Sequence, residues 1–222
     1  MIESFGIVWG ALPYLLQGTG VTVVCVVAAM LVGFILGVPM ALIQVYGPLW
    51  ARRVVGLYVW FFRGVPILVL LFLFYFGLCN FLGLNLGAIS AASLVLGMTS
   101  AAYQSQIFRG SLGSLPHGQF RAASALGMSD LTAIRSIILP QALRLSIPGW
   151  SNEYSILLKD SAVAFVLGTP EIMARTHFVA SRTYEHLPLY ITAGILYFIL
   201  TWIGVNSLRM LEKKVRIPGY GH

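Results

Sequence analysis

Glu153, Lys159 and Asp160 are the side chains best placed to do chemistry, because they stand at the far end of an apolar stretch, 137–158. A charge inside a membrane span costs about 3 kcal/mol on insertion scales, so such a group faces a cavity or a partner. Glu153 and Asp160 are about two helical turns apart and share one face of a continuous helix. Two carboxylates on one stripe can hold a cation. Asn152, Ser155 and Ser161 add hydrogen-bonding groups, and Ser93 and Thr99 of the preceding apolar stretch can face the same space. Lys159 falls on another edge, within reach of a different helix. A structural reading competes: the carboxylates can instead pair with Lys159 or Arg144 to hold the helices together, or form a gate.

The elements that carry these residues belong in lipid. Of the 222 residues, 58% are hydrophobic and 9% charged, whereas a soluble domain carries about 25% charged residues. Such a chain cannot coat a globular exterior, and its mean hydropathy of +0.85 agrees. Its length holds five or six spans of about 20 residues each, which makes 1–222 a single transmembrane domain. The net charge of +7 does not point to nucleic acid, because the basic residues gather at the ends of apolar runs, as the positive-inside rule requires. Cys25 and Cys79 have no metal-ligand spacing and read as buried thiols rather than a disulfide. The N-terminus lacks a basic leader and a cleavage site, so the first apolar stretch reads as a retained span.

The fold expected is an all-α membrane protein with about five transmembrane helices. They fall near 12–46, 59–78, 89–108, 137–158 and 189–211, with a turn at 80–87, where Asn80, Gly83, Asn85 and Gly87 cluster. The basic stretch 47–63 reads as a loop, with Arg63 as an interfacial anchor. A short interfacial helix is expected over 169–180. Residues 109–136 break the hydropathy, yet Ala122, Ala123, Ala125 and Leu126 favour helix. Gly127 can end that short helix and Ser129 can cap the next. The basic loops place the N-terminus outside, and the 110–136 loop and C-terminus in the cytoplasm.

The string Gly118-Gln119-Phe120-Arg121-Ala122-Ala123-Ser124-Ala125-Leu126-Gly127, followed by Leu139-Pro140, resembles the cytoplasmic EAA loop of ABC importer permeases. Phe62-Arg63-Gly64-Val65-Pro66, Ala101-Ala102-Tyr103 with Arg109-Gly110, and Leu158-Lys159-Asp160-Ser161 are similar to the polar amino-acid branch. The resemblance implies a permease subunit of a bacterial inner-membrane importer. A coupling helix between spans three and four would dock on a separate cytoplasmic ATPase dimer, through Gly118, Gln119, Arg121, Ala122, Ala123, Leu126 and Gly127. A second permease subunit, identical or paralogous, and an extracytoplasmic amino-acid-binding protein complete the assembly. ATP and Mg would be bound by the ATPase, with no cofactor or metal in this chain and no enzymatic activity of its own. The chain lacks the Gly-x-x-x-x-Gly-Lys-Ser/Thr phosphate loop. The acidic pair favours a basic amino acid as the cargo. Two positions depart from the family pattern: Arg121 replaces the usual Glu, and Gln106 an acidic residue.

Two other classes compete with this reading. Ser151 with histidines elsewhere suggests an intramembrane hydrolase, but His117, His177 and His186 read as loop residues. A secondary transporter or channel needs no ATPase partner, and the EAA-like loop argues against it.

Overall fold

A computed structural model describes residues 2–216; positions 1 and 217–222 of the expected domain lie outside the described residues. Helices and turns make up this part, with no strand among the described residues. The first helix, α1 (Ile2–Tyr46), runs unbroken for 45 residues. At 1.5 Å per residue that is about 67 Å, more than twice the hydrocarbon thickness of a bilayer. It must tilt or project well beyond the lipid.

Helix α4 (Ala88–Gly113) lies at the centre and packs along α1. Much of its buried face is small or polar, with Ala91, Ala92, Ser100, Ala101, Ala102 and Gln104 enclosed beside the larger Val95, Leu96, Phe108 and Leu112. Glycine permits the close approach. Gly33 and Gly37 are one turn apart on α1; a Cβ on Gly33 would strike the Gln104 amide and come within 2.9 Å of Ser100 Oγ. This is small-xxx-small packing, in which backbones meet because side chains are absent. Gly33→Ala is therefore expected to destabilise the protein by about 1–3 kcal/mol, the usual cost of overpacking. The check is the Tm of the purified protein, and an unchanged Tm refutes the claim.

The stretch expected as one helix over 59–78 is two. Helix α2 (Leu49–Gly64) occupies what read as the 47–63 loop. It is followed by α3 (Ile67–Phe72), which continues as a π-helix, Leu73–Cys79. The two directions differ by 108°. Pro66 lacks an amide hydrogen and forces the residue before it out of helical geometry; Val65 is extended, at φ −95° and ψ 131°. Arg52 ties α2 back to α1, donating to the carbonyls of Val45 and Gly47, groups a helix end leaves unpaired. The expected turn comes next, with Gly83 at φ +66°.

The stretch expected as one span over 137–158 begins earlier and is segmented. It comprises α6 (Asp130–Ala133), a π-helical stretch (Ile134–Ile138), α7 (Leu139–Leu145) and, after Ser146, α8 (Ile147–Asp160). Pro140 and Pro148 cannot bond the carbonyls four residues back, so the helix loosens ahead of each. A 3₁₀ turn, Ser161–Leu167, ends at Gly168 with φ +83°. Helix α9 (Ile172–Thr183) covers most of the helix expected over 169–180 and wedges against α1 and α10 with Ile172, Thr176 and Ala180 buried. Helix α10 (His186–Val215) encloses the expected 189–211 span.

By length and composition α1 and α10 can cross a membrane, and α2 with α3 make a third if the bent pair counts as one. Only 11% of the apolar window of α10 is buried, against 39% for α1, so α10 leaves more of its apolar surface to be covered by lipid or a partner. A helix enclosed by protein, like α4, needs no such coat. Cys25 and Cys79 are buried and free, as expected.

Candidate substrate site and coupling face

Glu153 is turned inward from α8 and is 3% exposed. Its Oε1 accepts a hydrogen bond from Ser100 Oγ of α4 at 2.7 Å. Asp160 of the same helix and Arg63 of α2 lie within electrostatic reach of the Glu153 carboxylate. Thus the structure joins the two carboxylates to one region and adds a cation that hydropathy alone had placed at the interface. The Arg63 guanidinium covers the Tyr103 ring, 4.9 Å from its centroid.

The other expected site residues scatter. Asn152 is exposed, and Ser155 is half-buried. Ser161 is buried, but its hydroxyl donates to the Leu158 carbonyl in the last turn of α8. Thr99 does the same to Val95, and Ser93 bonds Cys25 of α1. Lys159 points away from Glu153 and lines a groove of about 360 Å³ with Met173, Tyr190 and Tyr197, between α8, α9 and α10. It keeps an electrostatic contact with neighbouring Asp160. His177, expected in a loop, is inside α9 and meets the Tyr190 hydroxyl at 3.0 Å.

Sequence reasoning missed Ser100, Gln104 and Trp150, which extend the polar node around Glu153. Trp150 Nε1 donates to Gln104 Oε1 at 2.7 Å, and Gln104 Nε2 donates to Ser100 Oγ at 3.0 Å. The available signal was the spacing of Ser100 and Gln104, one turn apart in a run of small residues. It missed a second buried carboxylate too. Glu171 caps α9, accepting from the amides of Met173 and Ala174, and takes the Tyr197 hydroxyl of α10. These three donors leave it satisfied in the core.

At another end of the bundle, α5 (His117–Ala125) forms a short helix ended by Gly127 at φ +77°. The Gly127 amide reaches Ser124 O and the Met128 amide reaches Ala123 O, a glycine stop that satisfies the last carbonyls. Ser129 then caps α6, accepting from the Thr132 amide at 3.3 Å. The inner side of α5 is fixed. Ala123 is buried, Phe120 stacks on Tyr46, and Gln119 and Gln141 exchange two hydrogen bonds of 2.9 Å. The outer side presents Gly118, Arg121, Ala122 and Leu126, with Leu126 82% exposed and Leu131 of α6 75% exposed. The departure at Gln106 closes on Gln44 of α1, amide to amide, at 2.9 Å.

A helical membrane bundle with a buried polar node and a rigidly mounted apolar knob has the parts of a transporter's membrane subunit. The family model for binding-protein-dependent transport system inner membrane components matches residues 30–217. The chain is 34% identical to the probable amino-acid ABC transporter permease protein YckA of Bacillus subtilis, over 96% of this chain and 91% of that protein. It is 33% identical to the arginine transport system permease protein ArtQ of the same organism, over 92% and 94% respectively. A crystal structure of an amino acid ABC transporter with histidines superposes with a TM-score of 0.82 at 31% identity, covering 91% of this chain and 94% of that one. This protein belongs to the family of binding-protein-dependent transport system inner membrane components, and it is a permease subunit of an ABC importer.

Proposed function

We propose that this permease carries a basic amino acid into the cytoplasm through a site centred on Glu153. The observation that carries the reading is the Glu153 carboxylate, buried between α8 and α4 with Asp160 on the same helix face. A buried charge is tolerated where a partner of opposite sign can meet it, and an α-amino group or a basic side chain is such a partner. The ArtQ relative is named for arginine transport, which agrees with the acidic pair. Of the other expected residues, half-buried Ser155 on the same helix stays in the proposed lining; Asn152 is exposed, Ser161 and Ser93 bond elsewhere, and Lys159 serves the separate groove between α8, α9 and α10.

In the same proposal the chain crosses the membrane five times as one domain, with the N-terminus outside and the C-terminus in the cytoplasm. The crossings are α1, the bent α2–α3 pair, α4, the segmented α7–α8 and α10. Helix α5 is the coupling helix: Arg121, Ala122, Leu126 and Gly127 meet a groove on a cytoplasmic ATPase dimer, which binds ATP and Mg. Arg121, where the family pattern has Glu, calls for an acidic contact on that partner. A second permease subunit and an extracytoplasmic amino-acid-binding protein complete the importer.

The test is reconstitution in vesicles with the ATPase and binding protein, reading ATP hydrolysis against a panel of amino acids. Arginine, lysine or histidine should stimulate most. If a neutral or acidic amino acid gives the largest stimulation, the basic assignment is wrong. A cysteine at Leu126 should react with an impermeant thiol reagent from the cytoplasmic face; reaction from the other face inverts the topology.

A further inference from the structure

From the hydrogen-bond polarity around Glu153 we infer that Trp150, Gln104 and Ser100 are positioning residues, a one-way relay that presents the Glu153 carboxylate as an acceptor for the cationic side chain of a basic amino acid. The inference rests on the proposed role of Glu153.

The direction of the relay is set by groups that cannot reverse. An indole N–H donates only, and a main-chain carbonyl accepts only. Gln104 is held between one of each: its Oε1 takes the Trp150 Nε1 proton at 2.7 Å, and its Nε2 donates to Met30 O of α1 at 3.1 Å. Flipping the amide would set donor against donor and acceptor against acceptor. Its orientation is fixed from two helices. The second Nε2 hydrogen goes to Ser100 Oγ at 3.0 Å, so the hydroxyl must accept there. A serine has one hydrogen to give, and it is directed to Glu153 Oε1 at 2.7 Å.

Every link therefore donates toward the carboxylate. Gln104 and Ser100 are fully buried, where hydrogen bonds are strong and an unpaired polar group is costly. The Gln104 amide lies against Gly33 of α1, in space that a side chain there would fill. The charged groups in reach of Glu153 are Asp160 on its own helix and Arg63 from α2. Arg63 opposes a bound cation, and the relay favours the acceptor state that attracts one. The relay thus bears on discrimination by charge.

The test is calorimetric binding of arginine and of citrulline, its uncharged near-isostere, to the assembled permease–ATPase complex without the binding protein. Ser100→Ala deletes the last donor and should weaken arginine by about tenfold, the scale of a hydrogen bond to a charged group. Trp150→Phe keeps the ring beside Phe34 and deletes only the N–H. It should weaken arginine by about threefold, less than the full value of a hydrogen bond, because Met30 O still holds one end of the amide. Citrulline affinity should stay the same in both. Tyr154→Phe, which loses a bond from α8 to Leu200 O outside the relay, should leave both ligands unchanged. Wild-type arginine affinity in either relay variant overturns the inference, as does an equal loss for citrulline. Glu153→Gln separates the two levels. If it too binds arginine normally, the site reading fails; if it alone weakens arginine, only the relay fails.

Discussion

Glu153→Gln is expected to lower arginine-stimulated ATP hydrolysis by at least about tenfold in the reconstituted importer, since interactions with a charged group are worth about 1.5–3 kcal/mol and 1.4 kcal/mol is a factor of ten. The substitution keeps the size of the side chain and leaves an oxygen that can still accept from Ser100 Oγ. What it removes is charge, in a place where little water can compensate: the residue is 3% exposed. Folding should survive, because the carboxylate's attraction to Arg63 is offset by its repulsion from Asp160. Basal hydrolysis should therefore persist and only the response to a basic amino acid should fall. Asp160→Asn is expected to act in the same direction but less strongly, because Asp160 is only half-buried. Full stimulation by arginine in Glu153→Gln would remove the carboxylate from the transport path.

Gly127→Val is expected to cut transport by more than about tenfold, because backbone strain of about 1–3 kcal/mol falls on the segment that is also the proposed contact with the motor. A β-branched residue at φ +77° is a steric outlier. The stop that pairs Met128 N with Ala123 O would unwind, and Leu126 would lose its fixed direction. Arginine binding should persist, because α5 stands apart from Glu153, with its contacts on Tyr46 and Gln141. Asparagine tolerates the left-handed region, so Gly127→Asn should retain much of the activity. The measurements are vesicle uptake, binding, and co-purification with the ATPase. Normal uptake by Gly127→Val would show that α5 is not the lever.

The two sites differ in how far local sequence could reveal them. The α5 stop was legible because its cause is local: only Gly127 accepts positive φ cheaply, and Ser129 caps the adjoining α6. The break at Pro66 had an equally local cause, yet apolar runs on both sides of it masked two helices as one span. Hydropathy measures greasiness, and a 108° bend changes direction without changing greasiness.

By itself the sequence determined membrane residence, the helical class, the glycine-stopped helix near residue 120 and the acidic pair two turns apart on one helix. Each is a consequence of composition or of spacings within a turn or two. Only the tertiary structure decided that Ser100, Gln104 and Trp150 converge on Glu153, that Arg63 turns toward the same region, and that Lys159 faces a different groove. Those meetings depend on how α1, α4 and α8 cross, and the crossing depends on Gly33 and Gly37 admitting α4. Side chains 46 and 53 positions apart carry no local signal that they touch.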